Sequence, residues 1–127
     1  KNLDRLVRAC DDLDLPLVLT GKSGWGNTGS RTSKGVVSTG FVEDADLPAL
    51  YSGAHVFAYP SLYEGFGFPA LEAMACGLPI LTCNEALRGV LGPYADELMY
   101  PKGHCEKLTK GLRRLILMSF PRNFRRE

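Results

Sequence analysis

The chain has 127 residues, 45% of them hydrophobic and 23% charged, which suits one domain with one modest core and argues against disorder. Fifteen Lys and Arg against fourteen Asp and Glu leave a formal charge of +1, so no net field gathers polyanions and general nucleic-acid binding is disfavoured. The longest apolar runs fall far short of a bilayer span. The start, Lys1-Asn2-Leu3-Asp4, shows no signal-peptide pattern and no initiating Met, and reads as a fragment.

Asn2 to Asp12 carries Leu3, Leu6, Val7 and Cys10 at helical spacing, with Asn2 as N-cap. Leu15 to Thr20 is a short apolar run and reads as a buried strand. Gly21 to Gly35 is rich in Gly, Ser, Thr and Asn and reads as loop. A second strand follows at Val36 to Phe41, then a helix at Asp44 to Ser52 with Leu47, Leu50 and Tyr51 on one face. A third strand is expected at Ala54 to Tyr59 and a Gly-rich turn at Pro60 to Gly67. Phe68 to Cys76 predicts a helix with Pro69 in its first turn and Gly77 as its stop. Pro79 to Thr82 predicts a fourth strand, Glu85 to Leu91 a helix, and Glu97 to Tyr100 a short fifth strand. The last helix runs from Glu106 to Met118, with Leu108, Leu112, Leu115 and Ile116 inward.

Strands therefore alternate with helices, and the strands are apolar on both faces. That pattern predicts an α/β fold, a doubly wound parallel sheet covered on both sides. Ligands in such sheets bind at the carboxyl ends of the strands, here the loops after Thr20, Gly40, Tyr59 and Thr82. Cys10, Cys76, Cys83 and Cys105 form no CxxC pair and no cluster with zinc-ligand spacing, so no metal site is expected. The first three sit in apolar stretches and read as free thiols in a reducing compartment.

One stretch stands apart: Ser61-Leu62-Tyr63-Glu64-Gly65-Phe66-Gly67-Phe68-Pro69-Ala70-Leu71-Glu72. A strand ends, a loop with two glycines and an acid follows, and a helix with a second acid begins. The unpaired N–H groups and positive dipole end of that helix suit a diphosphate. Gly65 and Gly67 let the backbone approach a ligand closely. Glu72 can accept hydrogen bonds from two vicinal hydroxyls, such as those of a ribose, and Glu64 stands where an attached sugar would reach. A Glu near a helix start is also a common dipole-satisfying surface residue, but two acids flanking a Gly-x-Gly turn are harder to read that way.

Other motifs compete. Gly65 to Ala70 also satisfies G-x-G-x-x-A, with Glu85 at about the distance of a dinucleotide's ribose carboxylate, which is an NAD-binding alternative. Five residues separate Tyr59 from its first Gly, against that pattern. Gly21-Lys22-Ser23 fails as a P-loop because Pro16 stands where a Gly is required. His55 reads as a core or strand-end residue, His104 as a solvated turn residue, and Trp25 as either a ligand stack or a sheet cover. Arg122, Arg125 and Arg126 read as a solvated end or a contact to anionic lipid.

The run from Gly40 to Asn84 resembles the donor-binding, C-terminal half of retaining family-four glycosyltransferases of the GT-B fold (group 1 type). The resemblance is carried by Gly40-Phe41-Val42, Leu47-Pro48-Ala49-Leu50-Tyr51, Pro60 to Gly67, Leu71-Glu72-Ala73-Met74-Ala75-Cys76-Gly77, and Pro79 with Asn84. Glu64 and Glu72 have its E-x7-E spacing, and Lys1-Asn2-Leu3 with Gly21-Lys22-Ser23-Gly24-Trp25 extends it more weakly. It implies that residues 1–127 form a nucleotide-sugar-binding domain with a Rossmann-like sheet whose first strand is missing. It implies a catalytic Glu64 against the transferred sugar, and donor contacts from Lys1 (diphosphate), Phe41 and Val42 (base), Gly65, Phe66 and Gly67 (backbone N–H) and Glu72 (ribose).

The implied reaction transfers a hexose from a nucleotide-sugar donor with retention and needs no metal or other cofactor. Its partners are that donor, an N-terminal acceptor half of the same enzyme, and a peripheral contact at the cytoplasmic face of the membrane. The start and the Gly-Lys-x-Gly-Trp loop look most like mannosyltransferases of surface-polysaccharide assembly, which points to GDP-mannose. The chain departs from the pattern at Ala86-Leu87-Arg88-Gly89-Val90, where a Pro-Glu-Val turn is usual, and in the short loop Asn27 to Gly35. A truncated, non-catalytic nucleotide-sugar-binding module is the alternative, and the chain by itself is expected to be inactive.

Overall fold

The computed structural model describes residues 3–21, 35–60 and 67–119. Helix α1 (Leu3–Asp12) buries Leu6, Val7, Ala9 and Cys10 on one face, as its spacing predicts. It ends without a glycine: Asp14 takes φ +53°, its N–H bonds the Asp11 carbonyl at 3.1 Å, and the Leu15 N–H bonds the Cys10 carbonyl at 2.8 Å. This is a Schellman turn with Asp14 in the left-handed position.

β1 (Leu17–Thr20) runs parallel to β2 (Val36–Gly40), and β3 (Phe57–Tyr59) runs parallel to β4 (Ile80–Thr82). Thr82 also bridges Met99 in parallel. The described order is thus β2-β1 and β3-β4-Met99, with no ladder recorded between β1 and β3. A doubly wound sheet of order 3-2-1-4-5-6 with its first strand left out gives the same two groups.

The helices cover both faces. On one face Leu6, Ala9 and Cys10 of α1 meet Leu108, Leu112 and Leu115 of α6 (Cys105–Ser119) under Leu81, with Leu17 and Ala58 packed alongside. On the other, Ala70 and Ala73 of α3 (Phe68–Ala75) meet Ile80, Leu87, Leu91 and Ala95. Ile80 and Leu81 alternate between the two cores as strand periodicity requires. Burying a side chain of this size stabilises the fold by roughly 1.5–3 kcal/mol. Gly111 lets α6 approach β4: a Cβ there would lie 2.9 Å from Leu81 Cδ1.

Two expectations need correction. Among the described strands only β4 has every residue buried; β1 alternates, and its Val18 is 52% exposed beside its register partner Val37 at 57%. Nor do Glu97 to Tyr100 form a strand. Pro93 opens a tight turn over Gly92–Tyr94 that enters Ala95 already at helical φ and ψ, so Ala95–Leu98 is a helical turn, α5, and Met99 alone bridges the sheet. Glu85 to Leu91 divides into a 3-10 turn (Glu85–Leu87) and α4 (Arg88–Leu91). The second helix, α2, spans Leu47–Gly53 with Pro48 in its first turn.

Candidate functional site

The site begins where β3 ends. Pro60 is buried there, and the chain returns at Gly67, also buried, which caps α3 in the left-handed conformation at φ +78°. Gly67 offers no side-chain cap; Pro69 has no N–H, and the Gly67 carbonyl accepts from the Ala70 and Leu71 N–H groups at 3.1 and 3.2 Å. A Cβ at Gly67 would come within 3.0 Å of Leu87 Cδ2, so glycine is required by both conformation and packing.

The segment after β4 frames this turn. The Thr82 hydroxyl, fully buried, donates to the Tyr59 carbonyl at 3.0 Å. The Cys83 thiol donates to the Pro60 carbonyl at 3.6 Å. Asn84 then caps the 3-10 turn: its N–H donates to Thr82 Oγ1 at 3.0 Å and its Oδ1 accepts from the Ala86 N–H at 3.0 Å. Its Nδ2 is buried with no hydrogen-bond partner. Such a group costs on the order of 1–3 kcal/mol in a folded protein.

Glu72 stands mid-way along α3 with its side chain exposed. The Tyr51 hydroxyl of α2 donates to its Oε2 at 3.4 Å, longer than a tight phenol–carboxylate bond, so the carboxylate is oriented but not saturated. Tyr51 is held edge-on against Phe57 of β3, with ring centres 5.6 Å apart. Burial, and then the Glu72 carboxylate, push its phenol above the ordinary value of 10.

Phe41 and Val42 follow β2 at the carboxyl edge of the sheet, Phe41 exposed and Val42 half-buried. Gly67, Glu72, Phe41 and Val42 are thus the expected site residues that the structure describes. Lys1, Glu64, Gly65 and Phe66 lie outside the described residues, as do Lys22, Ser23, Trp25 and the terminal arginines.

The rivals fare differently. Both carboxylate oxygens of Glu85 are engaged by Arg88, at 2.7 and 3.2 Å, and that contact lowers the Glu85 titration. His55 is exposed ahead of β3, at the amino end of the strands. There it lines a cavity of about 380 Å³ with Tyr51, Cys76, Pro79, Leu115 and Met118, on the opposite edge from Gly67. The described cysteines are all free, Cys10 and Cys83 buried, Cys76 half-buried and Cys105 exposed.

Tyr51 and Asn84 were not singled out as site residues by sequence. Tyr51 reads as one more apolar residue on the α2 face, and its hydroxyl is the only hint of a polar task. Asn84 carries part of the family resemblance and stands two residues after an apolar strand, but neither signal assigns it more than a cap.

The profile of the family described as glycosyl transferases, group 1, matches residues 1–117. The chain belongs to that family. It is 41% identical over 97 residues to the O-antigen chain mannosyltransferase B of Escherichia coli, which covers 66% of this chain and 26% of that protein. It is 43% identical over 88 residues to an MMP alpha-(1->4)-mannosyltransferase of Mycolicibacterium hassiacum, covering 67% of this chain and 21% of that one. Among solved structures, a sucrose-phosphate synthase from Thermosynechococcus elongatus superposes with a TM-score of 0.81 at 26% identity, over 94% of this chain and 34% of that chain. This group 1 glycosyl transferase chain therefore spans about a quarter of the two curated relatives' length, and its α/β architecture is that of a GT-B protein. Among the described residues no helix is long and apolar enough to cross a membrane.

Proposed function

We propose that residues 1–127 are the nucleotide-sugar-binding part of a retaining hexosyltransferase whose acceptor is held by a separate N-terminal half. The observation that carries this reading is the α3 N-terminus: a left-handed Gly67 with no side-chain cap, at the carboxyl end of β3, with the Glu72 carboxylate further along the same helix. Diphosphate oxygens would meet the backbone at the Gly67 turn and the positive dipole end of α3, and the ribose hydroxyls would donate to Glu72. Lys1 would add a point charge to the departing diphosphate, and no metal is needed for that step in this reading. Phe41 and Val42 would border the base, and Glu64 with Gly65 and Phe66 would meet the transferred sugar. The engagement of Glu85 by Arg88 favours Glu72 over Glu85 as the ribose partner, against a nicotinamide dinucleotide.

The sugar is mannose in this reading, supported by the names of the two curated relatives, and the donor is GDP-mannose, as the resemblance of the chain's start and its Gly-Lys-x-Gly-Trp loop implies. The chain alone would bind donor without turning it over, because the acceptor half completes the site, and the whole enzyme would work at the cytoplasmic face of a membrane. Calorimetric titration with GDP, UDP and NAD tests the donor seat. GDP is expected to bind with one site per chain, and Glu72→Ala to weaken it about tenfold, as loss of a charge-assisted hydrogen-bond pair implies. Tight NAD binding that ignores Glu72→Ala would contradict the reading.

A further inference from the structure

Asn84 holds a group that its structural role does not use. As a cap it needs only its side-chain oxygen, which takes the Ala86 N–H, and Ser or Asp would cap as well as Asn. The amide nitrogen is surplus to that role, and it is buried with no acceptor in a residue only 4% exposed. Buried donors in folded proteins are almost always paired. A cap that carries an unpaired amide, where a neighbouring residue type would not, points to an acceptor that arrives from elsewhere.

The surroundings say where. Asn84 lies in the segment that grips both flanks of the Gly67 turn, through Thr82 on Tyr59, Cys83 on Pro60 and Leu87 against Gly67. Its backbone N–H is locked on Thr82 Oγ1, and that same hydroxyl donates to the last residue of β3. The orphan amide is therefore fixed to the framework of the turn that enters α3 at Gly67.

We propose that Asn84 is a positioning residue of the donor seat, whose amide hydrogens gain their oxygen acceptor when a nucleoside diphosphate occupies the α3 N-terminus. This rests on the donor-binding reading above. The class of ligand is one that brings anionic oxygens to that turn. The acceptor is a phosphate oxygen itself or a carbonyl that donor binding turns toward Asn84.

The sequence makes the test clean, because it contains four asparagines (Asn2, Asn27, Asn84 and Asn123) and no glutamine. A proton–nitrogen correlation spectrum therefore holds four side-chain amide pairs. Asn84→Ser, which keeps the capping oxygen, identifies the pair that belongs to Asn84. If that variant does not fold, single Ala substitutions of the other three assign it by elimination.

Titrating the wild-type chain with GDP is expected to shift the Asn84 pair downfield, and further than the other three. Asn84→Ser is expected to weaken GDP affinity about tenfold, with an unfolding midpoint within a few degrees of wild type. A cap alone would leave both the amide resonance and the affinity unmoved. If wild type binds GDP and the Asn84 pair stays in place, or the Ser variant binds equally well, the assignment of Asn84 is overturned while the donor seat stands. If the wild-type chain binds neither GDP nor UDP, the donor seat falls and Asn84 with it.

Discussion

Gly67 carries two constraints at once, a φ of +78° and Leu87 Cδ2 standing 3.0 Å from where a Cβ would be. An alanine there must bear left-handed strain of about 1–2 kcal/mol and displace a fully buried leucine. Gly67→Ala is expected to cost about 2–4 kcal/mol in urea unfolding and to weaken GDP binding, since the α3 N-terminus moves with it. Cys10 is a second residue with a measurable signature. Burial, then the Asp11 charge, push its thiol from 9.0 up to about 11. The folded state then holds that proton more tightly than the unfolded chain does. Its contribution is complete below pH 9 and is lost as pH rises toward 11, up to roughly 2–3 kcal/mol. The Tyr51 and Tyr100 phenols, both raised chiefly by burial, add a decline of the same sign. Urea midpoints measured from pH 8 to 11 should fall, and Cys10→Ala should make the fall shallower; an equal slope in the variant would remove Cys10 from the account.

At the scale of elements, α1 shows how far local rules reach. Leu3, Leu6, Val7 and Cys10 give its helical face in the sequence, and the face is buried as expected. Its ending is less legible, because no Gly follows and the turn falls on Asp14 instead. The side chain of Asp14 is exposed, so its removal sacrifices no packing. Asp14→Gly should therefore stabilise the chain by about 1 kcal/mol, read as a higher midpoint of thermal unfolding. A lower midpoint would mean that the extra freedom of glycine in the unfolded chain outweighs the strain relieved. The stretch from Glu97 to Tyr100 departs from the expected strand for a related reason. Its apolar residues do pack on the cores, Leu98 on both, but the Gly92–Tyr94 turn has already set a helical path upstream. Composition registers burial, and a four-residue window cannot see which conformation the chain enters with.

At the scale of the whole molecule, alternation of strands and helices was legible because each element is short, apolar and punctuated by Gly or Pro. Full burial was legible at β4 and not at β1, because an apolar run does not reveal how much of it will be covered. The candidate site was legible where backbone geometry dictates residue type, at Gly67 and along α3. It was not legible where chemistry comes from packing across elements, as with Tyr51 on Glu72 and the surplus amide of Asn84. The central claim is that a nucleotide sugar sits at the carboxyl edge of β3, against α3, rather than in the cavity of about 380 Å³ at the amino edge. A crystal structure of the chain soaked with GDP-mannose measures this directly. The account predicts diphosphate density against the Gly67 turn at the start of α3 and ribose hydroxyls on Glu72. Density in the cavity beside His55 and Cys76, with the α3 N-terminus empty, would contradict it.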